Sequence, residues 1–196
     1  MTRRVPLVPT LVVAAAVAAM IALGVWQGFV RLPEKEAAIA RYERAQTMNS
    51  DVAWPRTAAE RERALYRHTR VACVRVLSLD AVAGRSLRGE PGWAHVAKCE
   101  LDSGGVADIA IGWSAGTAAP TWTGGEMFGV VAPVGRKGVR LVAGPPAAGL
   151  APLASPDPRD VANNHFSYMI QWFLFAGTAV VIYALALRKR WRDRAL

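Results

Sequence analysis

Two uncharged apolar stretches bracket the chain. Residues Leu7–Val30 carry no charged side chain over 24 positions, and Phe166–Leu187 carry none over 22. About 20 such residues span the hydrocarbon core of a bilayer as a helix. Both segments are therefore expected to be transmembrane helices. The alternative for the first is a cleaved signal peptide, with Arg3 and Arg4 as its basic start and alanines offering cleavage sites. The apolar run outlasts the usual signal core of about 7–15 residues, so an uncleaved anchor is the expectation. A buried core helix is the alternative for the second.

Between the spans the periodicity changes twice. Pro33 with Glu34 and Glu36 reads as the first turn of a helix reaching about Gln46, since proline tolerates that position and acids suit the helix dipole. Thr57-Ala-Ala-Glu60 is a capping-box pattern ahead of a second short helix over residues 60–68. Beyond Arg70 the chain alternates as strands do. The candidates are Val71–Leu79, Trp93–Leu101, Val106–Trp113, Met127–Ala132 and Val139–Val142, separated by turn clusters such as Asp102–Gly105 and Gly135–Gly138. Residues 144–159 hold five prolines and two glycines and read as a loop back to the second span. The expected fold is an α+β membrane protein, with two terminal transmembrane helices flanking a small β-rich extracytoplasmic domain built on one sheet or barrel. Its parts are residues 1–30 (N-terminus and first span), 31–165 (domain, opening with two short helices), 166–187 (second span) and 188–196 (basic tail).

Charge acquires its meaning from this layout. The 196 residues carry 24 Lys+Arg and 15 Asp+Glu, a net +9. The N-terminal flank holds +2 and the C-terminal flank +4, whereas residues 31–165, with 17 basic and 14 acidic residues, hold only +3. Basic flanks stay cytoplasmic. Both termini are thus expected inside the cell membrane and the domain outside it, in the periplasm of a Gram-negative bacterium or the intermembrane space of a mitochondrion. Trp26, Tyr168 and Trp172 then lie near the outer interface and Trp191 near the inner one. The lipid bilayer is one expected partner, and nucleic acid is not.

Candidate chemistry is sparse. Gly112-Trp-Ser114-Ala-Gly116 matches a nucleophile elbow, but a helix must follow the serine. Thr117 to Pro120 and two further glycines follow instead, and His165 is the sole histidine downstream. A turn is expected there, and no enzyme activity. Cys73 and Cys99 fall on different predicted strands; a cross-sheet disulfide and two buried thiols are both open readings, without a C-x-x-C that would favour redox chemistry. His95 shares an apolar strand face and is expected to be packed, and His68 to be a solvated residue at a helix end. Gly24 and Gly28 form a G-x-x-x-G that permits close helix approach, with Ala176, Gly177 and Ala184 as a small-residue surface opposite. His165 is different. It opens the second span after the potential capping residues Asn163 and Asn164, and an ionisable residue at a membrane helix marks function by default. Imidazole is also a common haem-iron ligand. Tyr168 and Trp172 follow at i+3 and i+7 and could line a flat apolar ligand or simply anchor the helix at the interface.

Asn163-Asn164-His165-Phe-Ser-Tyr168-Met-Ile-Gln-Trp172-Phe173, followed by Val181-Ile-Tyr183 and a basic tail, resembles the end of the surfeit locus protein 1 family. Leu23-Gly24-Val-Trp26-Gln27, then Arg31-Leu32-x-x-Lys35, resembles that family's first span and its exit, with one extra residue before Arg31 and Glu34 where an aromatic is usual. Gly92-Trp93 and Gly112-Trp113 resemble two internal steps, although Ile111 stands where the family carries arginine. The resemblance implies a membrane-bound chaperone-like assembly factor of the respiratory chain. Its client would be cytochrome c oxidase, of which it would help supply subunit I with haem a. His165 would be the ligand to the haem iron, with Tyr168 and Trp172 beside it. Subunit I, other oxidase subunits and haem a synthase are the implied partners. The rival expectation is an accessory protein docked on subunit I without touching haem.

Overall fold

A computed structural model describes residues 5–147 and 149–193; Arg3 and Arg4 of the N-terminal flank and Arg194 of the tail lie outside the described residues. The chain divides into two compact units, residues 1–38 with 162–196, and residues 39–161.

The first unit is a pair of long helices. Helix α1 (Leu7–Trp26) runs through a π-helical turn (Gln27–Arg31) directly into α2 (Leu32–Gln46), and α4 (His165–Asp193) closes the chain. Both helices are long and apolar enough to cross a membrane, and the chain fits a two-pass membrane protein. Pro33 does stand in the first turn of α2, but α2 is not separate from the span. The Leu32 N–H donates to Gln27 O, five residues back. The widened turn includes Phe29, whose carbonyl is the one that a proline at position 33 would crowd in a regular helix. The proline is thereby carried without a break.

The second unit is a closed five-stranded barrel in the order β1-β2-β3-β5-β4. Its strands are β1 (His68–Arg85), β2 (Pro91–Leu101), β3 (Val106–Ser114), β4 (Gly125–Val134) and β5 (Gly138–Ala143). All five expected strands are present, and β1 is twice the predicted length. The reason is closure. Residues 68–73 pair with β4, and residues 73–85 pair with β2. Register shifts between Cys73 and Arg75 and between Val76 and Ser78 mark where the strand bends from one neighbour to the other. All pairings are antiparallel except a short parallel contact of β3 with β5. At Gly129 a side chain would collide with the Val142 carbonyl on β5, so glycine is what lets these strands approach.

Inside the barrel Val71, Ala97, Leu101, Ile109, Ile111, Met127 and Leu141 form the core around Cys73 and Cys99. Those two cysteines are joined in a disulfide linking β1 to β2. Ile111 is fully buried in this core. Residues 144–147 and 149–157 form a strap more than a loop. Ala147 donates to Ile111 O, Ala151 and Trp113 exchange two backbone hydrogen bonds, and Leu87 and Ala154 bond across to Pro152 and Arg85. The strap brings Leu153 against Ala94, Val96 and Ala110 on the barrel's outer side.

Helix α3 (Ala58–Ala64) starts as expected, with Thr57 and Glu60 forming a reciprocal capping box. It ends four residues earlier than predicted. Tyr66 is buried and takes a left-handed backbone (φ 61°), which turns the chain into β1. His68 therefore opens a strand and stacks on Phe128, with ring centroids 5.3 Å apart, and is not at a helix end.

The disulfide closes a separation of 26 residues, for which loop closure alone gives about 3–4 kcal/mol. Cys73→Ala with Cys99→Ala is expected to lower stability by about that amount, read by denaturant unfolding of the purified full chain in detergent. Unchanged stability would show that the barrel does not depend on the link.

Candidate functional site

The helix pair is held by two glycine notches. A side-chain carbon at Gly24 would lie 3.1 Å from the Phe173 ring, and one at Gly28 would collide with the Met169 sulfur. Gly24 and Ala176 are the buried residues of α1 and α4. The expected small-residue surface on α4 is therefore only partly used: Ala176 lies in the seam, while Gly177 has open space around it and Ala184 is exposed. The pairing sets large α4 side chains into α1 glycines.

Polar contacts fasten the seam at both ends. Thr10 Oγ1 donates to Pro6 O at 2.6 Å, so its bond with Tyr183 is one in which the phenol donates. At the other end His165 Nδ1 lies 2.7 Å from Gln27 Oε1. A side-chain carbonyl can only accept, so Nδ1 carries a proton, and in the neutral ring Nε2 then holds the lone pair. Nε2 has no hydrogen-bond partner among the described residues. This division of the two ring nitrogens is the one a metal-ligating histidine needs.

Gln27 is the residue that sequence reasoning missed. It is the first residue of the π-helical turn, and such turns occur frequently at functional sites. Its glutamine type and place in the Trp26-Gln27 motif were visible, but its partner lies 138 residues away. The remaining site residues are close in sequence and differ in setting. His165 is half-buried at the first position of α4, and the Asn164 carbonyl accepts the Tyr168 amide, placing Asn164 just before the first turn. Asn163 Oδ1 is buried without a partner. Trp172 is half-buried and packs edge-on against Phe175 at 6.2 Å. Tyr168 is 49% exposed and turned out of the seam. The aromatic residues that follow His165 therefore differ in setting, one exposed and one half-buried.

The serine motif takes another form in the barrel. Ser114 ends β3 and no helix follows. A histidine does stand beside it, upstream on the neighbouring strand: His95 Nε2 is 2.7 Å from Ser114 Oγ. The serine proton goes to Gly116 O at 2.7 Å, so the imidazole donates to the hydroxyl. That polarity is opposite to what a base activating a nucleophile requires. His95 is 1% exposed, as expected for a packed histidine, and its Nδ1 meets no orienting acid.

Residues 14–177 match the SURF1 family, from the middle of α1 to the middle of α4. The chain belongs to that family. SURF1 proteins are known generally as cytochrome oxidase assembly factors, and involvement in assembling that oxidase is the role that membership carries. The matched range includes both partners of the Gln27–His165 bond. No curated protein matches the sequence.

Filling a notch tests whether the helix pair depends on it. Gly24→Val is expected to destabilise the helix pair by about 1–3 kcal/mol through overpacking against Phe173. Ala184→Val, at an exposed position of α4, serves as the control. Unfolding in detergent followed by tryptophan fluorescence reads both, and equal effects would refute the notch.

Proposed function

We propose that this SURF1-family chain carries haem a for subunit I of a cytochrome c oxidase, holding the iron through His165 Nε2. One observation carries the reading: Gln27 takes the Nδ1 side of the imidazole at the first position of α4 and leaves Nε2 without a hydrogen-bond partner among the described residues. A neutral imidazole is a donor that haem iron accepts, so His165 would hold the group through Nε2. Tyr168 and Trp172 supply aromatic faces for the macrocycle. The chain's own part is to bind and orient a cargo, without catalysing a reaction.

The same reading places the barrel outside the inner membrane and both termini in the cytoplasm. Two observations support this. The basic excess lies at the two ends of the chain, and the Cys73–Cys99 disulfide belongs to an oxidising compartment.

The full chain co-expressed with haem a synthesis should purify with a Soret band, and His165→Ala should abolish it. A haem-free chain, or one whose band survives His165→Ala, favours the accessory protein that docks on subunit I without haem. Gln27→Leu is expected to lower haem affinity about 10- to 100-fold by freeing the ring and its tautomer. Gln27→Glu, which retains an acceptor, should restore most of it. Equal affinity of all three chains would leave Gln27 with no positioning role.

A further inference from the structure

The barrel unit carries a basic cleft that the haem reading does not use. Between α2 and α3 the chain is laid along β1: Val52 donates to His68 O at 2.8 Å, and Thr69 Oγ1 donates to Val52 O at 2.6 Å. This fastens Trp54 and Pro55 against the barrel. Pro55 is buried, and Trp54 is half-buried and packs on the core. A cavity of about 540 Å³ opens on one side of them, walled by Arg56, Arg63 and Arg67. A second of about 350 Å³ opens on the other, walled by Arg61, Lys98 and Lys137.

These six cations are poorly neutralised. Elsewhere in the unit arginines find carboxylates: Arg41 with Glu62, Arg75 with Glu100, Arg159 with Glu43, and Arg70 near Asp51 and Glu126. None of the six forms an ion pair among the described residues. The cavities hold two carboxylates, Glu60 in the first and Asp108 in the second. Glu60 accepts the Arg56 and Thr57 amides at 2.8 and 3.0 Å, which hold its carboxyl below the usual range. Asp108 lies across the ladder from Lys98 and offsets the burial that lowers the Arg140 guanidinium. Residues 39–161 hold 15 basic and 12 acidic residues, a net +3. Six cations and two acids give the cleft +4, so the rest of the unit is slightly negative.

We propose that this cleft docks an acidic segment of a partner polypeptide, with carboxylates in the two cavities and an apolar side chain over Trp54. Arginine forks take carboxylates in bidentate fashion. The recessed aromatic suits a flexible chain that can enter the cavities. A planar headgroup layer prefers aromatics that protrude.

The test uses the full chain in uncharged detergent and a fluorescein-labelled dodecapeptide of glutamates with one central leucine. Anisotropy should report saturable binding that weakens as salt rises. Arg63→Glu combined with Lys98→Glu should weaken it at least 10-fold, whereas Arg75→Glu, at a cation already paired with Glu100, should not. Trp54→Ala against the leucine peptide and an all-glutamate peptide separates the apolar contact from charge alone, with loss expected only for the former. No binding at low salt would overturn the proposal. So would equal weakening by Arg75→Glu, or cleft-dependent binding to phosphatidylserine vesicles without peptide binding. None of these readouts involves haem, so a haem-free chain leaves the test intact.

Discussion

The candidate site depends on the close approach of α1 and α4. Two positions without side chains, Gly24 and Gly28, let Phe173 and Met169 sink into the surface of the opposite helix. Helices kept farther apart would leave Gln27 unable to reach His165, and the imidazole would lose the partner that selects its tautomer. In lipid there is no hydrophobic force to bring two apolar helices together, so packing and interhelical hydrogen bonds must do so. The Thr10–Tyr183 and Gln27–His165 bonds supply the polar part at either end of the seam. The feature that aligns the helices is therefore also the feature that brings Gln27 to the His165 ring.

The barrel solves a different problem. A five-stranded sheet of this size has edges unless it closes, and unpaired edges invite association. Closure is achieved by lengthening one strand, so that β1 serves two neighbours through its bulged centre. The disulfide ties β1 to β2 where β1 bends. The proline-rich strap then covers the outer face of β2 and β3, which explains why Ala94 to Ala97 are buried in succession instead of alternating.

Much of this was legible from local pattern. The apolar runs, five strands and capping box all rest on interactions within a few residues. What was not legible rests on distant contacts. The end of α3 is set by Tyr66 taking a left-handed backbone as it becomes buried, for which a tyrosine offers no local signal. The length of β1 follows from barrel closure. His95 beside Ser114 depends on strand register, and a search for a histidine only after the serine could not find it. Gln27 needed the helix pairing to acquire its partner. His165, Tyr168 and Trp172 do share one helix, but only the three-dimensional seam distinguishes the histidine bonded to Gln27 from the exposed tyrosine.

The π-helical turn links two tasks of one continuous helix. In a regular helix each residue turns about 100° and rises about 1.5 Å. A π-helical turn takes one more residue into a single loop of backbone, and here it spans Gln27–Arg31. Gly24, Gln27 and Gly28 meet α4, while Pro33 follows within the first turn of α2. One widened turn thus ends the seam and starts the helix that leads on, with no break in the backbone between them.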